Sequence, residues 1–127
     1  MLDTDSVSFA LRGQGRVAQR ILQHRPSQIC ISSITLAELR YGATRRSSRK
    51  LHEVIDAFTA DVAVMAFDDA CAGLFGVIAA ELAKRGAVIG EFDALIAAHA
   101  VALDLTLVTN NVRHFARVRG LRVENWS

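Results

Sequence analysis

Short apolar runs alternate along the chain with longer segments whose apolar residues recur every three to four positions. Met1-Leu2 is a stub of strand running into Asp3, followed by a short helix over 6–11 and the turn Arg12-Gly13-Gln14-Gly15. Val17, Ile21 and Leu22 repeat at helical spacing up to the break at Pro26-Ser27. Gln28-Ile29-Cys30-Ile31-Ser32 reads as a buried strand, a short apolar run between polar residues. Ser32 or Ser33 is placed to cap a helix carrying Leu36, Leu39 and Tyr41, and Ser47-Ser48 to restart a second with Leu51, Val54, Ile55 and Phe58 on one face. A third strand spans 62–67, and Asp68 or Asp69 opens a long helix that stops at Gly86, a residue suited to the position just past a helix end. Residues 91–103 form a further helix, 106–109 a strand and 121–124 a last strand. Strands alternating with helices call for a parallel sheet covered on both faces. The predicted fold is therefore α/β, a three-layer α/β/α sandwich around a central, mainly parallel sheet of four to five strands.

Nothing divides this pattern. There is one proline, Pro26, and no Gly/Ser-rich linker or internal repeat, so residues 1–127 are expected to form a single domain, with 51% hydrophobic residues to build its core. Fifteen Lys and Arg against thirteen Asp and Glu leave a net charge of +2, too little for a blanket of positive charge, so any nucleic-acid contact must come from local clustering. Cys30 and Cys71 lie in apolar stretches without metal-ligand spacing and are expected to be buried thiols. The start Met-Leu-Asp-Thr-Asp has acid where a secretion signal needs base, and the most apolar window, 70–83, carries Glu81 and is too short to cross a bilayer, so a soluble cytoplasmic protein is expected.

Three carboxylates fall where such a sheet builds a site, outside the carboxyl ends of its strands: Asp3 after the first strand, Glu38 early in the helix after the second, and Asp93 in the first turn of the helix opened by Gly90-Glu91-Phe92. Each also has an ordinary reading, Asp3 as a helix cap, Asp93 as a charge favoured by the helix dipole, Glu38 as a solvated helix residue. Their shared placement is what raises them above those readings. Brought together, they would raise one another's pKa values unless a hard cation neutralised them, and an all-oxygen donor set suits Mg²⁺, with Mn²⁺ as a substitute.

Four segments, in order, resemble the PIN-domain family and within it the VapC-type toxins: Leu2-Asp3-Thr4-Asp5, Ile34-Thr35-Leu36-Ala37-Glu38-Leu39-Arg40-Tyr41-Gly42, Ile89-Gly90 through Ile96-Ala97-Ala98-His99-Ala100, and Leu107-Val108-Thr109-Asn110-Asn111. The resemblance implies a PIN-like fold and a magnesium-dependent endoribonuclease that cuts structured RNA such as tRNA or rRNA, is usually a homodimer, and is neutralised by a VapB-type antitoxin. It makes Asp3, Glu38 and Asp93 the acidic triad, Asp3 and Asp93 the foremost metal ligands, and Thr109 and Asn111 the last motif. Two positions depart from the pattern. Asp5 stands where the family commonly has Asn, which adds a charge beside the metal, and Asn111 stands where many members have a fourth acid. Asparagine can orient a water but cannot neutralise a second cation, so a site holding one metal is expected.

Exposed cations are needed for an RNA backbone, because phosphate contacts supply most of the affinity. Arg45, Arg46, Arg49 and Lys50 form the densest cluster and are the candidate RNA or antitoxin surface. His99, six residues after Asp93, points away from the acid on a helix and is expected to be packed or hydrogen-bonded. Small residues on the long helix, Gly73 and Gly76 among them, leave a smooth flank for a dimer contact. Two other functions fit some of these residues. Asp3-Thr4-Asp5-Ser6-Val7 also looks like the start of a haloacid-dehalogenase phosphatase, and Asn111 allows a PIN-like scaffold that binds RNA or antitoxin without turnover.

Overall fold

The computed structural model describes all 127 residues. Its helices are α1 (Thr4–Leu11), α2 (Val17–Leu22), α3 (Ser33–Arg45), α4 (Arg49–Asp61), α5 (Asp69–Lys84), α6 (Glu91–Ala102) and α7 (Val112–Phe115). Between them lie strands β1 (Cys30–Ser32), β2 (Ala63–Met65), β3 (Leu107–Val108) and β4 (Val123–Glu124). β1 pairs with β2 and β3 with β4, both in parallel. Leu2 joins the two ladders, bridging Ile31 on one side and Val108 on the other. Its amide donates to the Cys30 carbonyl at 2.9 Å, the Asp3 amide to the Val108 carbonyl at 2.9 Å, and the Val108 amide to the Met1 carbonyl at 2.8 Å. The order across the sheet is therefore β2, β1, Leu2, β3, β4, all parallel.

Alternation along these strands sends successive side chains to opposite faces and so makes two cores. Leu2, Ile31 and Val108 pack with Val7, Val17, Leu39 and Ile55 from α1 to α4. Met1 and Leu107 pack with Ile78, Leu82, Ile96 and Phe115 from α5, α6 and α7. Two helical layers thus enclose the sheet. Each fully buried aliphatic side chain contributes about 1.5–3 kcal/mol relative to exposure.

The caps explain where the helices begin. Asp3, Ser32, Ser48 and Asp68 each accept a backbone N–H of the first turn of α1, α3, α4 and α5. Gly86 takes φ +65° just past α5, where a side chain would be strained. Strands are shorter than the apolar runs predict. The expected strand over 28–32 begins only at Cys30, because Pro26–Gln28 closes a 3-10 turn in which the Gln28 side chain accepts from the Arg25 amide at 2.9 Å. The run 62–67 yields three strand residues, since Phe67 leaves the ladder to donate its amide to the Ser33 hydroxyl at 3.1 Å. α7 is absent from the sequence reading: four residues are too few to show a helical period. No helix is long and apolar enough to cross a membrane.

Candidate active site

Topology gathers the carboxylates at one edge. Asp3 leaves the sheet at the carboxyl end of Leu2, and α3 starts directly after β1, so Glu38 lies in its second turn above the same edge. α6 ends just before β3 begins, so its first turn, with Asp93, sits at the opposite end of that strand, the carboxyl edge.

Local hydrogen bonds fix two of the three. Asp3, 4% exposed, accepts the Ser6 amide at Oδ1 (2.8 Å), while the Ser6 hydroxyl is tied to the Val108 carbonyl at 3.2 Å. The helix-cap reading of Asp3 is thus correct, and it leaves the second carboxylate oxygen for other work. The Thr4 hydroxyl donates to Glu38 Oε1 at 2.6 Å and lies 3.2 Å from the hydroxyl of buried Thr35. Thr109, fully buried, sits with its hydroxyl beside Asp3 and accepts the Asn111 amide at 3.0 Å. Asn111 itself is exposed at the start of α7, and its side chain makes no cap bond.

Electrostatically this is a strained acidic cluster. Burial pushes the Asp3 carboxyl above its usual range, and the Thr109 hydroxyl and Ser6 amide offset this only in part. Glu38 is raised by burial, against the Thr4 hydrogen bond, and further by the negative charges of Asp93, Asp5 and Asp3. Asp93 is raised by burial, partly countered by His114, whose Nε2 lies 3.0 Å from Asp93 Oδ2. No ion pair reaches Asp3, Asp5 or Glu38. Exposed Asp5 adds the extra charge expected of it.

The donor chemistry fits a hard dication: carboxylate oxygens in a negative field that the protein offsets only at Asp93, through His114. No three Asp, Glu, His or Cys side chains converge tightly enough to enclose an ion by themselves. An ion held here would need waters or substrate phosphate to complete its ligands, as Mg²⁺ ordinarily does.

A groove of about 230 Å³ leads away from the cluster, with Asp5 and Glu38 among its lining and Arg12 and Arg46 on its walls. Arg45, Arg46, Arg49 and Lys50 are all exposed, and none is paired with a carboxylate. Of the four, Arg46 alone lines the groove. His99 is fully buried, its Nδ1 2.8 Å from the Ser32 hydroxyl and its ring edge-on to Phe67, in keeping with a packed role. His114 is the neighbour of the cluster that the sequence reading missed. It lies on α7, and nothing in its spacing from Asp93 signals the contact. Lys50 and Lys84, exposed at the start of α4 and the end of α5, line neither the groove nor the acids, so a phosphatase lacks its lysine here.

If Asn111 only orients water around one metal, Asn111→Ala should slow catalysis far less than Asp93→Asn and barely change metal affinity, whereas Asn111→Asp should tighten metal binding by adding an anionic oxygen. Mn²⁺ titration calorimetry of the three proteins distinguishes the cases; loss of binding in Asn111→Ala would make it a primary ligand.

The PIN domain family profile matches residues 1–121. The tRNA(fMet)-specific endonuclease VapC of Shigella flexneri is 41% identical over 128 residues, covering 100% of this chain and 97% of that protein. Among solved structures, DNA-bound VapBC from Salmonella typhimurium superposes with a TM-score of 0.94 at 38% identity, covering 100% of this chain and 97% of the other. VapBC2 from Rickettsia felis, bound to a promoter DNA fragment, gives 0.92 at 35% identity, with 100% and 98% covered.

Proposed function

Since the chain belongs to the PIN-domain family, we propose that it is a VapC-type endoribonuclease toxin, dependent on Mg²⁺, that cleaves structured RNA and is held inactive by a VapB-type antitoxin. The observation that carries this reading is that Glu38 lies within electrostatic reach of Asp3, Asp5 and Asp93 and lines, with Asp5, a groove walled by Arg12 and Arg46. Initiator tRNA is the first substrate to test, because the Shigella flexneri relative is specific for it.

In this reading Asp3 and Asp93 would hold the ion, and Glu38 would either complete its surroundings or accept a proton from water. Bound there, Mg²⁺ would supply positive charge to a phosphodiester and would make a nearby water more acidic. The remaining work belongs to the chain. Thr4 and Thr109 fix the carboxylates in place before substrate arrives, so little reorganisation is needed. Arg12 and Arg46 on the groove walls bind flanking phosphates, and Arg45, Arg49 and Lys50 extend that track or meet the antitoxin. Exposed Val88, which lines an apolar cleft with Phe75, Ala79, Leu82 and Ile89, supports self-association through the α5 flank as a homodimer.

Incubation of the purified chain with initiator tRNA in Mg²⁺ should give discrete cleavage products, suppressed by a stoichiometric VapB-type antitoxin. A folded protein that binds RNA or antitoxin yet never cuts it would establish the non-catalytic scaffold instead.

A further inference from the structure

Beside the acidic cluster lies a second feature that the phosphate chemistry leaves unused. Tyr41 and Phe92 are 64% and 54% exposed, unusual for rings in a chain whose other large apolar residues mostly enter the two cores. They line one depression of about 310 Å³, together with Ala37 and Glu38. Each is tied by sequence to a site acid: Tyr41 follows Glu38 by three positions on α3 and so shares its face, and Phe92 directly precedes Asp93 on α6. Arg45, one further turn along α3, donates to the Tyr41 hydroxyl at 3.0 Å, which steadies the ring and sets a guanidinium at its rim.

Two aromatic surfaces, a carboxylate wall and a neighbouring cation make a composite that a purely apolar partner would not need. A nucleotide does need it. Its base stacks on rings, its amino groups donate to carboxylate, and its phosphate pairs with guanidinium. We infer that the Tyr41–Phe92 depression is a base-binding subsite, which receives one unstacked nucleobase of the RNA next to the scissile phosphate and so sets where the strand is cut. This rests on the ribonuclease reading above, and it explains how an acidic cluster with no sequence preference of its own could select a cleavage position in a loop. It also requires the substrate to be single-stranded at that nucleotide, since a paired base is not available to stack.

The test uses initiator tRNA transcripts and the full chain. Tyr41→Ala and Phe92→Ala should each raise KM about tenfold, the order of losing one base–aromatic stack, with kcat within about twofold, the kinetic form of lost ground-state binding. Tyr41→Phe and Phe92→Tyr, which keep a ring, should restore the wild-type value. A transcript made abasic at one loop position should cost the wild type a similar factor and cost the alanine variants nothing more. A second readout needs no turnover: in EDTA, 2-aminopurine moved through the loops should be quenched at one position by wild type and by neither alanine variant.

Failure of the wild type to cut any RNA strikes the ribonuclease reading, while the quenching experiment still judges the subsite by itself. Equal KM values for wild type and alanine variants overturn the inference, as does the absence of quenching at every position. So does a fall from dimer to monomer in Tyr41→Ala or Phe92→Ala, which would assign the depression to a second copy of the chain. Unchanged cleavage with lost antitoxin inhibition would assign it to a peptide.

Discussion

Asp93→Asn is expected to lower RNA cleavage by about a hundredfold to a thousandfold, the usual loss when one preorganised charge is removed from a site, and at the same time to make the metal-free protein more stable. Asp3→Asn and Glu38→Gln should behave alike, and double variants should be hardly worse than single ones because the carboxylates act as a unit. The stability gain follows from the pKa directions. All three carboxyls are raised in the folded state, chiefly by burial, so folding favours their protonated forms. The native state is therefore relatively most stable at low pH and loses that advantage as pH rises through the raised folded values. At neutral pH the neutral amide variants should melt above wild type in EDTA, and the gap should close towards about pH 4, the ordinary carboxylate range. Asn at position 3 keeps the helix cap, since asparagine caps as well as aspartate. Initial cleavage rates and calorimetric melting across that pH range check both halves. Wild-type cleavage by folded Asp93→Asn protein, or a lower melting temperature at neutral pH, would contradict the assignment.

Chelation is expected to have the other large effect. Cleavage should fall to background in EDTA and return with Mg²⁺ or Mn²⁺ but not with Zn²⁺, because the donors are carboxylate oxygens without a thiol or a histidine cluster to favour the softer ion. The fold should persist, since Ser6, Thr4 and the two cores hold the carboxylates without help from an ion. Added Mg²⁺ should raise the melting temperature of wild type by mass action and leave Asp93→Asn nearly unmoved. That readout is independent of any substrate. Undiminished cleavage in buffers verified free of divalent ions would remove the metal from the reaction.

What could be read in advance divides along a physical line. Helix starts at Ser48 and Asp68 were legible because a short polar side chain ahead of a periodic apolar run has one local task, to accept an orphan amide. Gly86 was legible for a similar reason: its φ of +65° is a local demand. The acids were legible as a set, since strand order and helix placement bring chain segments far apart in sequence to one edge. Contacts between distant side chains were not. Thr4 reaching Glu38, Thr109 lying beside Asp3 and His114 facing Asp93 depend on helix orientations that neither period nor spacing encodes. Strand lengths were overestimated because an apolar run reports burial, and residues such as Ile29 and Val62 are buried without joining the ladder.

The single residue that ties the two ladders also holds the register on which the candidate site depends. With Leu2 as the only rung between β1 and β3, the halves of the sheet have no separate hydrogen-bonded connection through neighbouring strands. Asp3, the next residue, hangs from the same tie by its amide. A one-residue slip would exchange Met1 and Leu2 between the cores and carry Asp3, the first of the candidate carboxylates, off the edge. Loss of register at this one rung and loss of the candidate site are therefore expected together.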